Sequence, residues 1–286
     1  DPGIYHLDRP IRVTRPDTVV LGLGYATLIP DNGVTALTVA DVGGVRLAGF
    51  LVDAGPVNSR TLLEIGPRGA HRDHSANPTT VQDVFVRIGG AGPGKATTSL
   101  VVNNRHTIVD HTWVWRADHG EGVGWETNRA DYGVVVNGDD VLATGLFVEH
   151  FNKYDVQWFG QRGRTIFFQN EKAYDAPNQA AIRNGALKGY AAYKVGDRVT
   201  SHELGARQLL LLQRRPDDRA APRLRRPRPA GCEVPQPAGG VPRRQRPVRG
   251  RHQRHRRTDV RHLHRAVHGG VVPLRAGGRG GRTASP

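Results

Sequence analysis

Between Ile4 and Glu203 the apolar residues gather in short bursts rich in Val, Leu, Ile and aromatics, broken by Gly, Asn and Asp, with little sign of helical periodicity. That pattern predicts short strands and an all-β segment. Four stretches read as copies of one unit: Ala36 to Gly55, Ser99 to Gly120, Tyr132 to Phe151 and Tyr154 to Glu171. In the first three an apolar residue recurs after six and again after twelve positions: Val39, Val45, Leu51; Val102, Ile108, Val114; Val136, Leu142, Val148. A shared spacing predicts a shared geometry. Units of roughly 20 to 25 residues predict a parallel β-helix, in which each coil buries its inward side chains on those of the next. A sandwich with regular turns is the alternative. The insertions Pro67 to Asn77 and Asp118 to Asp131 then become loops on one side of the solenoid, where such folds carry their sites. Past Ala173 the pattern loosens, and Tyr190 to Val199 adds one more strand-like coil.

Charge divides the chain at the point where this pattern stops. The formal net charge is +15, yet residues 205–286 alone carry +17, from 21 Arg and four acids, while residues 1–204 sum to −2. A basic, nucleic-acid-binding body is thereby excluded. From Leu204 onward Phe, Tyr, Trp, Ile, Asn and Lys are all missing, and Arg, Pro, Gly, Ala and Leu dominate. Such a segment buries too little apolar surface to offset the entropy of ordering, so a disordered Arg/Pro/Gly-rich tail is expected at 205–286, after a folded unit at 1–204. Two readings of the tail stay open. It is an arginine-rich arm that binds phosphate backbones non-specifically, with a steep salt dependence lost on truncation after Glu203, or it is a G/C-rich gene read out of frame. In favour of the second, Glu203 to Leu210 written in G/C-rich codons and read in the neighbouring frame gives the unremarkable Ser-Trp-Gly-Leu-Gly-Ser-Ser. The single cysteine, Cys232, excludes an internal disulfide. No metal site or cofactor is expected, and the irregularly spaced His252, His255, His262, His264 and His268 do not change that. No stretch reaches membrane-spanning length, so no membrane partner is expected. With no Met anywhere and no signal-like start at Asp1, the chain is expected to be a fragment of a longer one.

Two carboxylates stand out in the body. Glu149 and Glu171 each follow a strongly apolar strand and lie 22 residues apart, about one coil. Stacked coils are separated by roughly 4.8 Å, so the two become neighbours on one face. Two carboxylates that close cannot both ionise cheaply, and a carboxylic acid that keeps its proton suits glycosidic-bond cleavage. Solvated strand-end acids paired with His150 or Lys172 are the bland alternative. Around them the sequence places Trp113, Trp115, Trp125, Tyr154, Trp158 and Tyr174 with His119, Gln169 and Asn170, a mixture suited to sugar rings. Trp113 and Trp115 are not expected to share a role, Trp113 being as readily a core residue. Ala117 to Trp125 reads as a tight corner exposing Asp118, His119 and Glu121. Nucleotide binding by it, or by Gly89 to Thr98, is not expected, because neither fits a phosphate loop.

With these residues assembled, the body resembles the C-terminal half of glycoside hydrolase family 55, β-1,3-glucanases built from two tandem β-helices. The likeness rests on TVVLGLGYATL, DAGPVNS, GKATTSLVVN, WRADHGEGVGW, VVVNGDDVLATGLFVEH and FFQNEKAYD, which span about Ile4 to Glu203. It implies a right-handed parallel β-helix of the pectin-lyase-like kind and exo-acting, inverting hydrolysis of β-1,3-glucan in an extracellular setting. It further implies Glu171 as general acid, Glu149 as a second active-site carboxylate, and Trp115 and Tyr174 as sugar contacts. Phe159 departs from the small polar residue usual there. The water-positioning residues belong to the N-terminal β-helix, the partner this chain is expected to lack. The 286-residue chain is therefore expected to be inactive and poorly soluble, which glucose release from laminarin would overturn. A non-catalytic polysaccharide-binding β-helix is the second reading.

Overall fold

The computed structural model describes residues 1–205 and the backbone of Leu209–Leu211. The tail readings, Cys232 and the tail histidines otherwise lie outside the described residues. No helix of the described residues is long and apolar enough to cross a membrane.

The chain winds through short strands coil by coil. The first turns hold β1 (Ile4–Leu7), β2 (Ile11–Val13), β3 (Val19–Leu21) and β4 (Thr27–Pro30), followed by β5 (Leu37–Val39), β6 (Arg46–Ala48) and β7 (Leu51–Asp53). Then come β8 (Ser59–Ile65), β9 (Thr80–Gln82) and β10 (Phe85–Ile88). From there each coil has two strands: β11 (Ala96–Val102) and β12 (Ile108–Arg116), β13 (Tyr132–Val136) and β14 (Leu142–Glu149), β15 (Tyr154–Trp158) and β16 (Gly163–Glu171), β17 (Tyr193–Val195) and β18 (His202–Gly205), with β19 (Leu209–Leu211) beside β16. One sheet runs β1-β4-β7-β10-β12-β14-β16-β18, and the other runs β2-β5-β8-β11-β13-β15-β17. Every paired ladder is parallel and joins successive coils. That is a parallel β-helix. A sandwich, built from antiparallel sheets, is ruled out.

Inside the solenoid like side chains stack in columns: Ile65, Val102, Val136 and Trp158 on one wall, and Val52, Val86, Val114, Val148 and Asn170 on another. The repeat is real but was aligned imperfectly. Val102, Ile108 and Val114 do match Val136, Leu142 and Val148. In the first copy the corner after Val39 holds one residue more, so Arg46 and Val52 occupy the later columns, not Val45 and Leu51. The coil from Ser59 to Ile88 falls outside the four copies because the 67–77 insertion interrupts its spacing.

A second column controls where side chains point. Tyr25, Gly49, Asp83, His111, Gly145 and Phe167 all have left-handed backbone, with φ between 46° and 69°, and each stands two residues before a register-matched position. The stacked corner bends the sheet and puts one extra residue outside, which resets the in-out alternation as a bulge does. Bulky residues tolerate this conformation poorly. Here their rings pack on phenylalanines two residues past the corner of a coil, Tyr25 and His111 on Phe85 at 5.6 and 5.8 Å and Phe167 on Phe147 at 5.5 Å.

At the last described coils Trp158 is fully buried, with Tyr193 parallel to it at 6.1 Å and His202 edge-on at 4.9 Å. Gly163 is required beneath it, since a Cβ there would come within 2.2 Å of the indole nitrogen. Truncating Trp158 to Ala is expected to cost about 3–5 kcal/mol in chemical denaturation. Burial lowers the pKa of His202 from its ordinary 6.5. As the pH falls below that value the unfolded chain takes up a proton that the folded chain refuses, so stability should decline. Denaturation midpoints measured at about pH 7.5 and 5.5 should differ less in His202→Phe than in the parent. Equal differences would show that His202 does not contribute.

Candidate active site

Beyond the bend, the outward residues of the first sheet form two columns. One contains Leu51, Phe85, Trp113, Phe147 and Gln169, and the other contains Asp53, Arg87, Trp115, Glu149 and Glu171. Glu149 and Glu171 are direct partners in register on adjacent coils. They open into a cleft of about 480 Å³ lined by Arg87, Gly90, Trp113, Trp115, Asp118, His119, Gly120, Glu149, His150 and Glu171.

Each acid has its own holder. Glu149 is buried and accepts a hydrogen bond from the Trp113 indole nitrogen at 3.0 Å. Glu171 Oε2 accepts from the Tyr174 hydroxyl at 2.5 Å, and His150 Nε2 lies 3.4 Å from the same oxygen. Burial first, then the bond to Glu171 and the nearby carboxylates, pushes the Tyr174 phenol well above its ordinary value, so it stays a neutral donor. Trp113 and Trp115 stack at 5.2 Å, and His119 leans on Trp115 at 5.1 Å while bonding Asp118 at 2.7 Å. Arg87 is held in a two-pronged ion pair by Asp53, at 2.7 and 2.6 Å.

The loops around the cleft converge on Arg116, the last residue of β12. Its guanidinium is fully buried and spends all five N–H donors. Nε binds Asn128 O at 3.1 Å, Nη1 binds His150 O at 3.2 Å and Asp175 Oδ1 at 2.9 Å, and Nη2 binds Gly124 O at 3.1 Å and Asp175 Oδ2 at 2.7 Å. Asn128, also buried, donates to Ile88 O and Ala117 O and accepts from Gly124 N. Gly90 and Glu121 exchange backbone hydrogen bonds, seating the 118–124 corner on the cleft's rim. Among the described residues no group of His, Cys, Asp and Glu could hold a metal ion.

Residues 1–171 match the family model described as the LAM55 pectate lyase-like domain. The chain belongs to that family. It is 77% identical over 202 residues to an exo-beta-1,3-glucanase of Streptomyces sp. (strain SirexAA-E / ActE), covering 71% of this chain and 33% of that protein. The structure of sacteLam55A from Streptomyces sp. SirexAA-E matches with a TM-score of 0.71 and 74% identity, over 72% of this chain and 38% of that one. A variant of sacteLam55A in complex with glucose matches at 0.70 and 76%, over 70% and 36%. This LAM55 chain thus spans about a third of the length of the curated relative, and the resemblance to family 55 β-1,3-glucanases read from its motifs stands.

Several residues grouped around the acids in the sequence are placed elsewhere. Trp158 offers no surface to a sugar, because the column continuing Val136 faces the core. Asn170 is likewise buried, in the column of Val148, and its amide donates to Val148 O at 2.5 Å. Tyr154 belongs to the other sheet, parallel to Tyr132 at 6.5 Å and bonded by Asn184. Trp125 does not line the cleft; its ring lies 5.5 Å from the Arg116 guanidinium. Glu121 is exposed and Gln169 lies one coil past Phe147, neither of them lining the cleft. Trp113, by contrast, is 39% exposed and shares the cleft with Trp115, because the strand is straight after the His111 bend. Arg87 is a cleft residue that the sequence reading does not name, and His150, named there only as a partner of solvated acids, is buried beside Glu171. Arg87 could have been found from the column it shares with Trp115, whereas His150 points to the site only because its own φ is 68°.

Asp175 is the anion that neutralises buried Arg116. Replacing it with Ala should cost about 3–5 kcal/mol in chemical denaturation, since an uncompensated charge remains inside. A loss below about 1 kcal/mol would show that the carbonyls alone suffice.

Proposed function

We propose that the protein carrying this chain is an exo-acting β-1,3-glucanase and that Glu171 is its general acid. The observation that supports this most is the Glu149–Glu171 pair in one outward column, beside the stacked Trp113 and Trp115 in an open cleft. Indole faces suit the C–H faces of a glucosyl ring. Glu171, reached from the cleft and bonded by neutral donors, gives its proton to the glycosidic oxygen as the C1–O bond breaks. Glu149, fixed by Trp113, sets a negative charge beside the oxocarbenium-like centre.

The pair also limits the mechanism. Both acids rise from the same face of one sheet, a coil apart, so Glu149 cannot stand across the sugar ring from Glu171. Inversion needs a water activated on that opposite face. We assign that task to the N-terminal β-helix, the partner implied by the family, and place the enzyme outside the cell, where a polymer too large to cross a membrane is met.

Glu171→Gln, made in the full-length protein, should lower kcat on β-1,3-glucan by roughly 10²–10⁴-fold while leaving glucan binding in place. Full turnover in that variant would remove Glu171 from the role. Binding without turnover in the parent protein would instead favour a non-catalytic polysaccharide-binding solenoid.

A further inference from the structure

Building on Glu171 as the acid, we infer that His150 is a positioning residue that fixes which carboxyl oxygen carries the transferable proton. The imidazole clamps Glu171 Oε2, so the proton resides on Oε1.

Four observations carry this. First, His150 follows Glu149 in left-handed backbone, which turns its ring from the outer face into the gap between β14 and the segment after β16, where it is 2% exposed. Second, it grips residue 171 twice: its backbone N–H donates to Glu171 O at 2.9 Å, and Nε2 lies 3.4 Å from Glu171 Oε2. Third, the nearest group to Nδ1 favours the tautomer this role needs. Nδ1 faces the Trp115 indole nitrogen at 3.2 Å, a group that can only donate, so Nδ1 accepts and Nε2 carries the hydrogen. Arg116 O at 3.3 Å and Asp118 Oδ1 at 3.8 Å also flank Nδ1, at longer range than the indole. Fourth, the ring is packed in place. Tyr174 lies against it at 5.0 Å, and Arg116 Nη1 holds the His150 carbonyl at 3.2 Å.

With His150 Nε2–H and Tyr174 O–H both directed at Oε2, that oxygen has only acceptor duties, and the acid proton is left on Oε1. When Oε1 releases it to the leaving oxygen and the C1–O bond breaks, the negative charge that appears on the carboxylate is met by two donors already in place. Preorganised donors of this kind need no rearrangement at the moment of reaction. Glu171 regains its proton from solvent once product leaves.

The test uses two substrates in the full-length protein. A laminari-oligosaccharide leaves as a sugar alkoxide and needs the proton, whereas β-glucosyl fluoride leaves as fluoride and barely does. His150→Phe, which keeps the ring and removes the donor, should lower kcat on the oligosaccharide by roughly 10- to 100-fold and change kcat on the fluoride by less than about threefold, with KM little altered. His150→Gln, which restores an N–H, should recover part of the loss. Equal falls on both substrates, or no fall on the oligosaccharide, would overturn the assignment. Glu171→Gln run alongside separates the two claims: if it shows no difference between the substrates, Glu171 is not the acid. If it does while His150→Phe does not, only the role of His150 fails.

Discussion

The arrangement of the cleft depends on the desolvated Arg116 guanidinium. A buried cation with no partner would be prohibitively costly, and this one is made tolerable only by using every donor it has. Its acceptors come from three places far apart in sequence: the 124–128 turn, the corner at His150 and Asp175 beyond β16. Meeting the electrostatic demand of one side chain therefore draws together the loops that frame the acids. The same constraint sets the His150 peptide, and through it the ring beside Glu171.

Coil stacking does the rest of the positioning. In a parallel ladder a residue recurs at the same height on the next coil, so chemistry at 149 and 171 becomes a pair without any loop having to bring it together. The left-handed corner running from Tyr25 to Phe167 decides which residues in each coil face outward beyond the bend. It aligns Trp113 with Trp115 and Arg87 with Asp53, so that the apolar faces, the cation and the carboxylates share one surface. Rigid strands thus hold the acids, and loops tied to Arg116 close the rim.

That division also explains why the chain's chemistry is one-sided. A sheet presents all its outward groups in one direction, and a glycosidic bond has to be approached from two. On the proposed function, the pair Glu149 and Glu171 serves one flank, and the second falls to groups outside this sheet.

By itself the sequence determined the all-β class, the stacking of coils, the break in composition near 204 and the neighbourhood of Glu149 with Glu171. All of these depend on spacing along the chain, and a solenoid maps sequence spacing onto space almost linearly. It could not determine which face or which sheet a residue takes, and the left-handed corners account for only part of this, since Trp113 and Asn170 follow one within their strands whereas Tyr154 and Trp158 do not. Trp158 and Asn170 belong to inward columns, Trp113 to an outward one, and Tyr154 to the other sheet. Only the tertiary structure turned His150 inward and brought Asp175 to Arg116. Their roles come from hydrogen bonds spanning 34 and 59 residues, made to satisfy buried polar groups, and no local periodicity encodes such a demand.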